Sequence, residues 1–163
     1  MADEVDAIVA AWRRELPDLD VTPMQVLSRV SRLARHLDLA RRAAFATHDL
    51  EVWEFDVLAA LRREGPPYAL SPGELTRQTL STSATMTNRI DRLEAKGLVE
   101  RQPNDADRRG VLVRLTPAGR ARASAALTDL LAFEEDLLAG LDGNDRQQLA
   151  GALRRLIVSF ENH

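Results

Sequence analysis

Hydrophobic residues recur every three or four positions along most of the chain, which is the spacing of amphipathic helices. This periodicity predicts seven helices, at residues 3–16, 22–47, 51–63, 72–79, 83–96 and 117–140, and a last one that begins between Asp142 and Asn144. Three of them begin with a hydroxyl residue as N-cap followed by proline: Thr22-Pro23, Ser71-Pro72 and Thr116-Pro117. The pattern favours a mainly α-helical fold.

One segment departs from the helical spacing. Leu98 to Arg101 and Val111 to Leu115 have the composition of β-strands, and the polar residues between them predict a turn. This hairpin follows a pair of helices, the second of which ends at Gly97. A helix, a tight turn, a helix and a hairpin form the order of a winged helix-turn-helix, in which the second helix enters the DNA major groove.

The predicted helix at 83–96 separates apolar from polar residues. Its apolar face is expected to pack against the domain: Met86, Ile90 and Leu93. Five of its polar residues are predicted to contact bases and phosphates: Ser83, Thr85, Asn88, Arg89 and Arg92. Asn and Arg pair bidentately with adenine and guanine edges, and hydroxyl groups bind phosphates. Taken alone, a polar helix face is more often only solvated.

The turn of the hairpin concentrates charge. Arg108 and Arg109 are placed to enter a minor groove, where narrow A·T tracts attract arginine, and Asp107 is spaced to orient one of them. By itself such a turn is more often only a hairpin turn, but the ordered combination is much less expected by accident. The charge distribution agrees, since residues 77–114 carry eight basic and five acidic side chains although the whole chain has a net charge of −3.

Composition narrows the classes of protein. The chain has 163 residues, 45% of them hydrophobic, which suits one domain with helical extensions. No apolar run reaches the ~18 residues of a membrane span, and no secretory leader is recognisable, so we expect a cytoplasmic protein without a membrane partner. The absence of cysteine excludes disulfides and cysteine-bound metals, and only three histidines are available as metal ligands. We therefore expect no metal site and no cofactor. No catalytic motif supports an enzyme, and a protein–protein interaction module stays a remote alternative.

The chain resembles the MarR family of bacterial transcriptional regulators. The resemblance is carried by N-R-I-x-R-L-E-x-K-G-L-V-E-R, beginning at Asn88, and by the D-x-R and L-T-P-x-G that follow. It implies a homodimer in which residues 1–48 and 117–163 form the helical dimerisation region and residues 50–116 form the winged lobe. It also implies that the protein binds a pseudo-palindromic operator in double-stranded DNA. This binding is expected to repress transcription, and a small molecule is expected to relieve the repression. The leucine-striped terminal helices agree, because they have more apolar surface than one lobe can bury.

Within that family the chain is similar to the urate-responsive branch. Members of this branch have an extra N-terminal helix with a tryptophan, an Asp and an Arg seven residues apart before the helix pair, and an Arg after the recognition helix. Four residues match these features: Trp12, Asp56, Arg63 and Arg101. The resemblance implies that they bind a small anionic ligand, urate or a related purine. An indole can stack on such a flat anion, and arginine can pair with its oxygens.

Each of the four residues has another interpretation. Asp56 and Arg63 could form an ordinary ion pair, and Trp12 could simply anchor the N-terminal helix. Arg101 could contact a phosphate or an acidic neighbour. Arg62, adjacent to Arg63, leaves open which of the two arginines faces inward. A phenolic or antibiotic-like anion is the main rival for urate, whereas the absence of cysteine excludes a thiol-based peroxide sensor.

Overall fold

The computed structural model describes residues 2–104 and 107–161, and the side chains of 107–109, 160 and 161 lie outside that description. The described residues form seven helices and one small antiparallel sheet, so the predicted mainly α fold is confirmed. The elements are α1 (Glu4–Glu15), α2 (Thr22–Ala46), α3 (Val52–Glu64), β1 (Ala69–Leu70), α4 (Pro72–Gln78), α5 (Ser83–Ala95), β2 (Val99–Asn104), β3 (Asp107–Leu115), α6 (Pro117–Leu137) and α7 (Gly143–Glu161). Over the described ranges, none of these helices is both long and apolar enough to cross a membrane. The chain forms two compact units, one up to Val52 and one from Trp53 onward.

In the first unit, α1 packs on α2 through an apolar and a polar contact. The apolar contact is a small buried core of valines: Val5, Val9 and Val21. The polar contact begins at the capping box of α1, in which Asp3 and Asp6 each accept a hydrogen bond from the other's backbone N–H. Arg29 of α2 donates to both carboxylates, at 2.8 Å to Asp3 and 2.7 Å to Asp6. The start of α1 is therefore tied to α2.

The start of α2 differs from the prediction by one residue. Thr22 was predicted to cap the helix, but it is the first helical residue and Val21 occupies the N-cap position without a side-chain bond. The backbone N–H of Thr22 donates instead to the Asp20 carboxylate at 2.9 Å. An acceptor two residues upstream thus satisfies an N–H that the helix leaves open, and this prediction was wrong.

In the second unit, both helices of the helix-turn-helix have side-chain caps, and the predicted cap Ser71 is one of them. Ser71 and Glu74 form a capping box at the start of α4, with the Ser71 N–H donating to Glu74 at 2.8 Å. The Thr82 hydroxyl accepts the backbone N–H of Thr85 at the start of α5. Gly97 follows α5 with φ +68, a conformation that glycine adopts without cost. These caps fix the two ends of α5, which is the recognition helix of the helix-turn-helix.

The predicted hairpin is present as β2 and β3, and both strands extend farther toward the turn than predicted. Leu98 was predicted to begin the first strand, but it lies outside it. Its N–H donates to the Leu93 carbonyl at 3.0 Å and thereby closes α5. The strands extend farther because backbone pairing continues through the polar residues, where no hydrophobic alternation marks a strand.

A third strand, β1, was not predicted. Ala69 and Leu70 pair antiparallel with Arg114 and Val113, which gives the order β1-β3-β2. A two-residue strand is too short to show a period, so its existence depends on pairing with β3. The strand β1 joins the loop before α4 to the β2–β3 hairpin, which is the wing of the fold.

The start of α6 lies against the end of α5. The hydroxyl of Thr116, the N-cap of α6, donates to the Gly97 carbonyl at 2.8 Å. A Cβ on Gly119 would lie 2.0 Å from the Leu98 carbonyl oxygen, so only glycine fits this approach. The helix ends at Leu137, earlier than the predicted Gly140.

Candidate nucleic-acid interface

The predicted two faces of α5 are present. The apolar residues are almost fully buried: Met86, Ile90 and Leu93. Most of the polar set is exposed, namely Ser83, Thr85, Asn88 and Arg92, whereas Arg89 is half-buried. The Asn88 amide makes no hydrogen bond within the described part of the chain, so its donor and acceptor are both available to a base. We call these four exposed polar residues of α5 the polar ridge: Ser83, Thr85, Asn88 and Arg92. The opposite face of the helix is buried in the domain.

Trp53 lies under two arginines of the recognition helix. The guanidinium carbon of Arg92 is 4.8 Å from the centre of the Trp53 ring, and that of Arg89 is 5.3 Å away. Both distances lie within the range of a cation–π contact. This contact was not predicted from the sequence, because Trp53 is on α3 and nothing in the spacing of the residues connects it with α5.

An ion pair that is buried on the Glu54 side joins α3 to the end of α5. The Glu54 side chain is fully buried, and the Lys96 Nζ lies 3.0 Å from each of its carboxylate oxygens. Lys96 is the C-cap of α5. A carboxylate in this setting requires its cation, so the pair fixes where the recognition helix ends. Neither residue was predicted from the sequence to have this role.

Arg101 pairs with α5. Its guanidinium donates to Asp91 and Glu94, and its backbone N–H donates to Glu94 at 3.0 Å. The hydrogen bond with Asp91, and after it the bond with Glu94, raises the pKa of Arg101 above its usual value. Of the interpretations of Arg101, the acidic neighbour is therefore the one observed. This contact ties the first wing strand to the recognition helix.

The other three predicted ligand residues lie on two helices. Asp56 is half-buried on α3, and Arg63 is exposed seven residues later without an ion pair to Asp56 or to any other described residue. Arg62 is also exposed, and its guanidinium lies 5.1 Å from the centre of the Tyr68 ring. Trp12 is on α1, in the first unit, with 44% of its surface exposed. Arg101 makes no ion pair with Asp56, so the described contacts do not join these two.

The wing arginines were predicted at the turn of the hairpin. The backbone of Asp107, Arg108 and Arg109 belongs to β3, but their side chains lie outside the described residues. Their contacts with a minor groove, and the orienting role of Asp107, stay predictions.

Comparison with known proteins identifies the family. The family model described as MarR family matches residues 48–110. The HTH-type transcriptional regulator PecS of Dickeya dadantii is 39% identical over 160 residues, which are 98% of this chain and 96% of PecS. A mutant MarR from E. coli, solved in complex with operator DNA, superposes with a TM-score of 0.68 at 25% identity, covering 89% of this chain and 96% of that one. BpsR from Bordetella bronchiseptica, whose DNA binding is regulated by 6-hydroxynicotinic acid, is 31% identical with a TM-score of 0.59, covering 78% and 98%. The chain therefore belongs to the MarR family and is a DNA-binding transcriptional regulator, not an enzyme.

Proposed function

We propose that the protein is a homodimeric repressor that binds a pseudo-palindromic operator and releases it when a small planar anion, urate or a related purine, binds. The observation that carries the DNA-binding part is the polar ridge of α5, exposed on one side of a helix whose other side is buried. A capped, rigid helix of this kind fits the major groove.

The side chains of α5 suit distinct tasks on DNA. Asn88 and Arg92 would pair with base edges, since amide and guanidinium groups match adenine and guanine. Ser83 and Thr85 lie in the first turn, where hydroxyl and backbone N–H groups favour phosphates. Arg89 would contact a phosphate from its place on Trp53. In the wing, Arg108 and Arg109, oriented by Asp107, would enter the adjacent minor groove.

The terminal helices support a homodimer. Large apolar side chains of α6 and α7 are exposed in the single chain: Leu127, Leu131, Leu137, Leu149, Leu156 and Ile157. Soluble monomers rarely leave such stripes uncovered, and a two-fold axis lets one patch cover its own copy. We assign residues 1–48 and 117–163 to dimerisation and residues 50–116 to the DNA-binding lobe.

The effector would bind through the four matching residues. Arg63 is exposed and has no ion pair in the described chain, so its guanidinium is available to an anion, and Trp12 offers an exposed indole. Asp56 would accept an N–H of the ligand. Arg101 is bound to Asp91 and Glu94 of α5. A ligand that draws Arg101 away would therefore disturb the recognition helix.

The required energy is modest. Weakening DNA binding about tenfold needs a ligand preference of about 1.4 kcal/mol between the two conformations. An ion pair at an exposed site contributes about 0.2–1 kcal/mol, and Arg101 makes two such pairs, with Asp91 and Glu94. Rearranging both pairs of Arg101 is of the required order.

A phenolic or antibiotic-like anion is the second candidate effector. It would use the same arginine and tryptophan chemistry. The similar protein BpsR responds to 6-hydroxynicotinic acid, which is a hydroxylated aromatic acid. This favours small aromatic anions as a class and leaves urate as one member to be tested.

The test is a DNA-binding titration on the region upstream of the protein's own gene, with and without urate. The native protein is compared with Asp56→Ala and Arg63→Ala, and with Arg62→Ala as the matched neighbour of Arg63. We expect urate to weaken DNA binding by the native protein and by Arg62→Ala, and to have little effect on the other two variants, although all four bind DNA. If DNA binds and urate changes nothing, the effector assignment is wrong.

The same titration at rising salt separates a DNA regulator from a protein-interaction module. Phosphate contacts release counterions, so specific DNA binding must weaken steeply with salt. Failure to bind DNA at low salt would overturn the regulatory proposal itself.

A further inference from the structure

A cavity of about 350 Å³ lies at the base of the β2–β3 hairpin, in the second unit. It is lined by Tyr68, Glu100, Arg114, Thr116 and Arg120 among others. These residues come from the loop before β1, from both wing strands and from the start of α6. None of them belongs to the residues proposed to bind DNA or the effector.

Positive charge is concentrated around the cavity. The guanidinium carbons of Arg62 and Arg120 lie 5.1 and 5.4 Å from the centre of the Tyr68 ring, and Arg114 lines the wall. Within the described residues none of the three arginines has an ion pair with a carboxylate. Glu100, opposite Arg114 in the sheet, instead accepts a hydrogen bond from Gln102 at 2.7 Å. Two arginines thus line the cavity and a third lies beside Tyr68, and none of the three is paired with Glu100.

Tyr68 has an unfavourable backbone conformation that two backbone hydrogen bonds maintain. Its φ is +61, which is rare for a large side chain and costs free energy. Its N–H donates to the Gly65 carbonyl, and its own carbonyl accepts the Leu115 N–H at 2.9 Å. The hydrogen bond with Arg120, and after it the one with Arg62, lowers the pKa of the Tyr68 phenol below its ordinary value. A fixed phenol and several guanidinium groups are the donors that oxyanions prefer.

We propose that this cavity binds a small oxyanion, a compound with a carboxylate or phosphate group, through Arg114, Arg120 and the Tyr68 hydroxyl. The arginines supply forked N–H donors, and the phenol supplies one O–H donor. The Thr116 hydroxyl is already used, because it donates to the Gly97 carbonyl at the end of α5. The occupied cavity therefore touches the strand of the wing and the residue that joins α6 to the recognition helix.

The sequence offers a reporter for this site alone, because Tyr68 is the only tyrosine. The phenolate absorbance of the full-length protein is titrated at alkaline pH, where arginine stays protonated. Inorganic phosphate or malonate is added in steps, with sodium chloride adjusting the ionic strength to a constant value. A bound anion offsets the guanidinium charges, so we expect the Tyr68 pKa to rise in a saturable manner, with half-saturation below about 1 mM. The probe that saturates identifies the phosphate or the carboxylate class.

Variants locate the effect. Arg114→Gln and Arg120→Gln are expected to weaken the anion response at least about tenfold, and Arg120→Gln alone should also raise the Tyr68 pKa without anion. Arg77→Gln, at an exposed arginine of α4 outside both proposed sites, is the matched control for lost charge and should keep the native anion response. Circular dichroism establishes that each variant is folded, and Arg62→Gln provides a second test if one is not. A response to neither probe, a response that only follows ionic strength, or an equal response in Arg114→Gln would overturn the proposal.

Discussion

At the scale of single residues, three tertiary contacts set the position of the DNA-reading groups. Trp53 supports Arg89 and Arg92, and the buried Glu54 holds Lys96 at the end of α5. The wing strand is held by Arg101 on the same helix. Exposed ion pairs such as those of Arg101 contribute little to stability, so their value lies in orientation. The cation–π contacts and the pair of Glu54 with Lys96 are expected to have measurable effects of different kinds.

Replacing Trp53 is expected to weaken DNA binding more than folding. Each of the two cation–π contacts is worth about 0.5–1 kcal/mol at an exposed site, so the loss of both in Trp53→Ala should lower operator affinity by about five- to thirtyfold. Trp53→Phe should retain part of the affinity, because a phenyl ring still attracts guanidinium. The salt dependence should stay as in the native protein, since the arginines remain. Fluorescence anisotropy with labelled operator measures this, and equal affinity of native and Trp53→Ala protein would contradict it.

Replacing Lys96 is expected to affect folding directly. Lys96→Met leaves the buried Glu54 carboxylate without the ammonium group, which should lower the free energy of unfolding by about 1–3 kcal/mol, less than for a pair buried on both sides because Lys96 is partly exposed. Adding Glu54→Gln to this variant removes the buried charge and should restore part of the loss. Urea unfolding measures both variants. A loss below about 1 kcal/mol for Lys96→Met would mean that the pair behaves as an exposed one.

At the scale of elements, close packing and caps hold the winged unit together. The first turn of α6 approaches the end of α5 so closely that Gly119 has no room for a side chain. Thr116 joins the same two elements by a hydrogen bond. The first unit uses ion pairs for the corresponding purpose, since Arg29 of α2 holds the two capping carboxylates of α1. These two junctions respond to different changes.

The α5–α6 junction predicts that Gly119→Ala is destabilising. The added Cβ would overlap the Leu98 carbonyl, so the free energy of unfolding should fall by about 1–3 kcal/mol. Gly73→Ala, within α4, is the matched control. Its Cβ would meet nothing closer than 4.0 Å, and the helix should gain up to about 1 kcal/mol. Thermal unfolding of both variants measures this, and an equal loss in both would contradict the packing argument.

The α1–α2 junction predicts a loss of order in acid. Arg29 is the largest cause lowering the pKa of Asp3, and for Asp6 it follows the hydrogen bond from the Asp3 N–H. Because both values are lowered on folding, the stabilisation is present above the ordinary value of 3.8 and disappears as the pH falls through the lowered values. The protection of the α1 amides against hydrogen exchange, relative to the intrinsic exchange rate at each pH, should therefore fall in that range. Arg29→Gln should show fast exchange already at neutral pH, and an unchanged pH dependence in this variant would refute the explanation.

At the scale of the whole molecule, the proposed homodimer explains the uncovered leucines of α6 and α7. A charged residue in the stripe should prevent association, because burying an unpaired carboxylate is costly. Leu131→Glu is therefore expected to sediment as a monomer and to lose operator binding, since two half-sites can no longer be read together. Leu80→Glu, at the 95% exposed Leu80 outside these helices, should keep the dimer. A dimeric Leu131→Glu would place the interface elsewhere.

Local patterns were sufficient to predict the helices, their caps, the order of the winged helix-turn-helix and the buried face of α5. Periodicity and capping depend on residues within a few positions of one another, so a linear reading contains them. The family motif from Asn88 onward added the regulator function, which the relatives confirm. The errors fall at Thr22 and Leu98, where a nearby polar acceptor decided the boundary.

Only the tertiary structure decided which side chains meet. Three contacts join residues that are far apart in the chain: Trp53 with Arg92, Glu54 with Lys96, and Tyr68 with Arg120. The strand β1 likewise exists only because β3 pairs with it. No periodicity links such residues, because their approach depends on how helices and strands pack and on the rotamer that packing allows. The chain's local order thus follows from neighbouring residues, whereas the orientation of its DNA-reading and anion-facing groups follows from packing.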